Sequence, residues 1–225
     1  MKKSTSSSTQ KSQSLVPWAW IKCIDDMVTT ARNSNPDCNS YFHLPVEIGN
    51  NLYLSDEANA LDRKKLQSLG ITHVLSLNGA PPFRCRWSKD LYDGVGIVNK
   101  RIHAEDSEGY DMIGQHWDEC YTFLKQATEV PDARVVIHCV SGINRSGLII
   151  CAAFMIFEQL DVLHVVDHCI KKRGSLLWNR SFQEQLCVLA AEHGLLGEKP
   201  EGYDDKPISK VPLAPPPIKA FDRLT

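Results

Sequence analysis

The amino-acid sequence predicts an α/β domain built on a central, mostly parallel sheet flanked by helices. Short apolar runs of strand length alternate with amphipathic segments of helical length, the pattern of layered α/β folds. One of those runs, Arg134-Val135-Val136-Ile137, leads straight into the loop His138-Cys139-Val140-Ser141-Gly142-Ile143-Asn144-Arg145 and then a long apolar helix. Open α/β sheets carry ligand loops of this kind at the carboxyl ends of their strands. The 225 residues, 43% hydrophobic, suit one domain with tails.

Residues 1–15 read as a disordered, Ser-rich tail. Residues 16–40 hold an N-terminal helix and a linker. Pro17 suits the first helical turn, and Trp20, Ile24, Met27, Val28 and Ala31 recur on one face. Two readings of this helix stand side by side: docked on the domain, or engaged with a partner or substrate. The domain proper is predicted over 41–195. Val46-Glu47-Ile48 and Leu52-Tyr53-Leu54 read as strands around the turn Gly49-Asn50-Asn51. Ser55 or Asp56 caps a helix running to Leu69 and ending at Gly70, and Ile71 to Leu77 forms a buried strand. Residues 79–94 form a long loop in which Arg84, Arg86 and Trp87 either flank the substrate or stand as a solvated loop with an aromatic anchor. Ile97 to Ile102 reads as a strand; Ile113, Trp117, Cys120, Phe123 and Leu124 mark an amphipathic helix. Helices are expected near 146–160, 162–173 and 181–193, with Asp161 and Asn179 as N-caps. Lys171-Lys172-Arg173 reads as a solvated helix end, with recognition of acidic or phosphorylated sequence as the alternative. Residues 196–225 read as a Pro-rich flexible tail. Its segment Pro212-Leu213-Ala214-Pro215-Pro216-Pro217 is either a linker or a polyproline ligand for an SH3 or WW module.

The loop at 138–146 carries the chemistry. A chain leaving a strand and curling through Val140, Ser141, Gly142, Ile143 and Asn144 aims successive backbone N–H groups at one tetrahedral anion. The helix that follows adds its free N–H groups and dipole. Arg145 supplies a planar fork matched to two phosphate oxygens. In such a field the thiol of Cys139 is expected to ionise more readily than a free cysteine and to attack phosphorus in line. Ser146 is placed to hydrogen-bond the sulfur, and His138 to orient the loop. The leaving oxygen needs a proton, so an acid is expected on another loop. Asp106, just past the predicted strand 97–102, is the candidate; Glu105 and Asp111 are substitutes, and a merely solvated acidic loop is the bland alternative.

Taken together, these segments resemble the cysteine-dependent protein phosphatases, specifically the small atypical dual-specificity phosphatases. The resemblance spans roughly residues 40–195. It includes Tyr41-Phe42-His43-Leu44-Pro45, Leu52-Tyr53-Leu54-Ser55-Asp56, Ala104-Glu105-Asp106, the loop at 138–146 and Asn179-Arg180-Ser181-Phe182-Gln183. It implies a dual-specificity phosphatase-like fold, Cys139 as nucleophile, Arg145 as phosphate-binding residue and Asp106 as general acid. It also implies Asn179 as the Asn that steadies the loop. The substrates implied are phosphorylated proteins, with a MAP kinase as the family-level partner. Where most members carry Ser or Gly before the Arg, this chain has Asn144, which looks more like the cysteine-type RNA 5′-triphosphatases. Some relatives grip a second phosphate with an Arg after the late helix; Gly174 falls there, with Arg173 one position earlier. The compact domain suggests a shallow pocket suited to phosphotyrosine and to phosphoserine or phosphothreonine. A lipid or glucan phosphatase, or a phosphoprotein-binding module without turnover, remain as alternatives.

Bulk properties narrow the rest. A net charge of −2 and pI near 6.4 give no reason to propose nucleic acid or an anionic membrane. The polar start is not a secretory signal, and no apolar run is long enough to span a bilayer. The eight cysteines show no CxxC or Cys/His spacing for a metal, and no cofactor motif is present. A reducing compartment, cytoplasmic and in part nuclear, is the expected location.

Overall fold

In a computed structural model, the described residues are 16–34, 43–78, 92 and 94–207. Elements follow in the order α1 (Trp18–Ser34), β1 (Val46–Gly49), β2 (Leu52–Ser55), α2 (Glu57–Ala60), α3 (Arg63–Ser68), β3 (His73–Ser76) and β4 (Val98–Arg101). They continue with α4 (Met112–Thr128), β5 (Val135–His138), α5 (Arg145–Glu158), α6 (Val162–Arg173) and α7 (Arg180–Glu192). The sheet order is β1-β2-β5-β3-β4. Strand β5 sits in the middle, parallel to β2 and β3, and only the β1–β2 pair is antiparallel. This is the expected mostly parallel sheet.

Side-chain alternation along β5 sorts the two faces. Val135 and Ile137 join the core under α4, α5, α6 and α7, while Val136 faces a smaller cluster with Leu66, Val74 and Tyr92. Both faces are covered, so β2, β3 and β5 are buried along their whole length. The hairpin β1–β2 turns through Asn50 and Asn51 at φ 49° and 62°, a left-handed pair that Asn tolerates best after Gly.

The sequence expectation of one helix to Leu69 is corrected. Asp56 caps α2 by accepting from Asn59 N, and Asp62 caps α3 by accepting from Lys65 N. An N-cap takes non-helical dihedrals, here φ −80° and ψ 90° at Asp62, so the helix breaks there.

Helix α1 is docked on the domain, the first of the two arrangements its sequence allows. It lies against α6 and α7 with Ala19, Ile21, Ile24 and Val28 buried. The apolar face is turned slightly from expectation, so Ile21 is fully buried and Trp20 stays half-buried with its Nε1 donating to Leu196 O at 2.8 Å. Residues 196–207, expected to begin the flexible tail, instead run along α1. Lys22 pairs with Asp204, and the Tyr203 hydroxyl donates to Asp26 at 2.9 Å. The polyproline segment at 212–217, the Ser-rich start and Arg84, Arg86 and Trp87 lie outside the described residues. Among the described residues, no helix is long and apolar enough to cross a membrane.

Candidate active site

The loop between β5 and α5 is built by turning its carbonyls outward. Cys139 O accepts from His138 Nδ1 at 3.3 Å and Val140 O from Glu57 N at 3.1 Å. Ser141 O and Gly142 O accept from the Arg173 guanidinium at 3.3 and 3.2 Å, and Ile143 O from Leu177 N at 3.1 Å. A trans peptide points its N–H opposite its C=O. The amides of Val140, Ser141, Gly142, Ile143 and Asn144 therefore turn inward, forming the predicted anion nest. Gly142 is required twice over. Its φ is 63°, and a Cβ there would stand 2.7 Å from Ser55 O. Leu177 is also held left-handed, at φ 57°, with its carbonyl accepting from Gln183 Nε2 at 2.8 Å. Such backbone strain persists where the surroundings over-determine it.

Arg173 corrects the solvated-cluster reading of 171–173. Lys171 and Lys172 are exposed, but Arg173 is only 1% exposed and reaches under the loop. The signal was present in the sequence. Arg173 follows Cys169 by four residues and Val166 by seven, on the same buried stripe as Val162. A guanidinium on a helix's apolar face needs carbonyl partners, and the loop supplies them.

Cys139 lies at the floor of the loop, buried, and accepts from the Ser146 hydroxyl at 3.2 Å. Arg145, the first residue of α5, donates through Nη1 to Leu77 O at 3.0 Å and Ala104 O at 3.1 Å. It thus ties the end of β3 and the segment before Asp106 to the loop. Its buried Nε has no hydrogen-bond partner among the described residues and lies 3.9 Å from Asp106 Oδ2. A buried charged donor left open in this way fits an anion that is yet to arrive.

Asp106 stands beside that guanidinium on an exposed loop. Its Oδ2 accepts from Asn144 Nδ2 at 3.3 Å and its Oδ1 from Asn179 Nδ2 at 3.4 Å. Asn179 caps α7 through Ser181 N and donates to Ser107 O at 3.2 Å, so it holds the acid loop as well as starting a helix. Glu108, not singled out from the sequence, accepts from Ser181 N at 2.9 Å and pins the same loop. The two substitutes for the acid fall elsewhere. Asp111 caps α4 by accepting from Gly114 N at 2.9 Å, and Glu105 is exposed with Ser107 Oγ as its partner. Cys139, Ser146, Arg145, Asp106, Asn144 and Asn179 thus meet in one cluster.

His138 is fully buried beneath this cluster, and burial lowers its pKa from 6.5 to about 4. It is neutral in the folded chain at pH 7 and serves the loop as a hydrogen-bonding strut. The unfolded chain takes up its proton near pH 6.5 and the folded chain only near pH 4, so the unfolded state binds more protons between those values. Stability is expected to fall by about 3 kcal/mol as the pH drops through that window. Denaturant titrations at several pH values check this, and a His138→Asn chain should lose that part of the slope.

The comparisons with known proteins agree with the geometry. The family model described as "Dual specificity phosphatase, catalytic domain" matches residues 52–192. Human dual specificity protein phosphatase 26 is 32% identical over 143 residues, which cover 64% of this chain and 65% of that protein, just under two thirds of its length. Mouse dual specificity protein phosphatase 13B is 31% identical over 143 residues, covering 64% of this chain and 71% of its own. The crystal structure of DUSP15 superposes with a TM-score of 0.55 at 23% identity, covering 71% of this chain and 97% of that one. The Yvh1 phosphatase domain from Chaetomium thermophilum gives a TM-score of 0.54 at 18% identity, covering 68% and 98%. At these identities the two solved structures speak for the fold. With the loop built around Cys139 and a family model matched from β2 to α7, this chain belongs to the dual specificity phosphatase catalytic domain family.

Proposed function

We propose that this chain hydrolyses phosphotyrosine and phosphoserine or phosphothreonine in proteins through a phosphocysteine at Cys139. The observation that carries the reading is the nest itself. Inward amides and the open Nε of Arg145 surround a sulfur that already accepts the Ser146 hydroxyl at 3.2 Å. The family match and the relatives named dual specificity protein phosphatases support the substrate class.

In the first step the phosphoryl oxygens take the amides of Val140, Ser141, Gly142, Ile143 and Asn144 and the free edge of Arg145. Sulfur attacks phosphorus, the P–O bond to the substrate breaks, and Asp106 protonates the leaving oxygen. In the second step Asp106 takes a proton from water, water attacks the phosphocysteine, and the S–P bond breaks. The Ser146 hydroxyl stabilises the departing sulfur anion. Most of the charge compensation comes from preorganised donors that need no rearrangement during the reaction.

Asn144, which alone pointed toward an RNA 5′-triphosphatase, donates to Asp106 at 3.3 Å. It therefore meets the residue that the protein-phosphatase reading uses as its acid. Asp106→Asn is expected to lower kcat on phosphotyrosine and phosphothreonine peptides by about a hundredfold. Phosphate release from a matched peptide pair, with triphosphate-ended RNA as a third substrate, checks both the acid and the substrate class. Release from RNA alone, untouched by Asp106→Asn, would contradict the proposal.

A further inference from the structure

Asn144 occupies the N-cap position of α5, where an Asn ordinarily turns its side-chain oxygen back onto the first amides of the helix. Here it makes no such bond, and its backbone sits at φ −96° and ψ −71° rather than in the extended region usual for a cap. The side chain points away instead and is used at both ends. Its Oδ1 accepts from Asn179 N at 3.1 Å, and its Nδ2 donates to Asp106 Oδ2 at 3.3 Å. Two consequences follow. The first amides of α5 are left to the anion in the loop. A neutral side chain inside the phosphate loop also becomes the strut that joins the loop, the acid loop and the start of α7.

Asp106 needs that strut. Its residue is exposed, so packing fixes it weakly. Its other contacts are the Asn179 amide at 3.4 Å and the Arg145 Nε at 3.9 Å. The Arg145 edge is the one a phosphate would occupy, so in the loaded site it is shared. Asn144 and Asn179 are then the two neutral donors that hold the carboxyl group, one at each oxygen. They are themselves linked through the Asn179 N–H.

We propose that Asn144 is a positioning residue that sets the carboxyl of Asp106 against the leaving-group oxygen. This rests on the phosphatase reading above, with Asp106 as its acid. Asn144 transfers no proton itself; it acts on the step in which the leaving group is protonated.

Acid assistance matters most when the leaving group is a poor one. Phenyl phosphate depends on it strongly, and para-nitrophenyl phosphate, whose anion leaves readily, depends on it little. For Asn144→Ala, kcat on phenyl phosphate is expected to fall about tenfold, with KM within about twofold of wild type. On para-nitrophenyl phosphate kcat should fall less than about threefold. Introduced into an Asp106→Asn chain, the same change should cost less than about twofold, because the group it positions is gone. Asn144→Ser adds no charge, is too short to bridge Asp106 and Asn179, and as a small polar change guards against a chain that fails to fold. It should show the same loss of kcat on phenyl phosphate.

Equal losses on the two esters, or losses that add fully to Asp106→Asn, would overturn the positioning role and mark Asn144 as a structural part of the loop. So would wild-type kcat on phenyl phosphate in Asn144→Ser. If wild type hydrolyses neither ester, or Asp106→Asn leaves phenyl phosphate turnover unchanged, the phosphatase reading or its acid fails, and the positioning role falls with it. If wild type and Asp106→Asn behave as expected and only the Asn144 variants do not, this inference alone is wrong.

Discussion

Cys139→Ser is expected to lower kcat on phosphomonoesters by about ten-thousandfold or more. The change is one atom in size, yet it replaces a strongly nucleophilic sulfur with a hydroxyl that is a poor nucleophile. The surroundings are untouched. The loop carbonyls still meet Glu57 N, Arg173 and Leu177 N, so the inward amides keep their places. Arg145 still holds Leu77 O and Ala104 O. Phosphopeptide binding should therefore survive the loss of turnover, giving a chain that captures substrate without releasing phosphate. Stopped assays for kcat and calorimetry for binding, run on the same preparation, check the two halves. Turnover above about a tenth of wild type would mean that sulfur is not the nucleophile.

Arg145→Lys is expected to lower kcat/KM by about a thousandfold, although the charge is kept. The guanidinium does two jobs at once. One nitrogen, Nη1, bonds two backbone carbonyls at 3.0 and 3.1 Å, while the buried Nε lies open beside Asp106. An ammonium has three donors on one rotating nitrogen and cannot serve both carbonyls and two phosphate oxygens at once in fixed directions. An ammonium turned toward the phosphate leaves Leu77 O or Ala104 O without this donor in the interior, which costs about 1–3 kcal/mol. The variant should thus be weaker in phosphate binding, slower in chemistry and less stable together. A kcat/KM within tenfold of wild type would show that charge alone, not the fork, is what the site requires. Kinetics with competitive inhibition by inorganic phosphate separates binding from rate.

The parts of the site that were legible in the sequence are those in which cause and effect lie close along the chain. Cys139, Arg145 and Ser146 fall within eight consecutive residues between an apolar strand and an apolar helix, so strand, loop and donor set could be read together. The strands were legible for the same reason, with two of them trimmed to His73–Ser76 and Val98–Arg101. What stayed hidden depends on contacts across long stretches of chain. The Arg173 guanidinium meets Gly142 O across 31 residues, and the Glu57 amide meets Val140 O from another layer of the fold. Local pattern assigned Arg173 to solvent with its two lysine neighbours, although its spacing from Val166 and Cys169 already placed it on the buried stripe. Asn144 was legible only as a departure from its relatives. Its partner Asp106 lies 38 residues away, and nothing in local spacing joins them. The break between α2 and α3 turns on Asp62, a second N-cap inside a stretch whose local pattern is compatible with one helix.

The central claim is that phosphate passes through sulfur. Chain mixed with a phosphotyrosine peptide and quenched in acid within a turnover can be digested and mapped by mass spectrometry. The account predicts one added phosphoryl group on the peptide that carries Cys139, lost in Cys139→Ser and scarcer in Asp106→Asn, where the phenolic oxygen must leave without its proton. Phosphate release with no phosphoryl group on the protein, or with one on a residue other than Cys139, would contradict it.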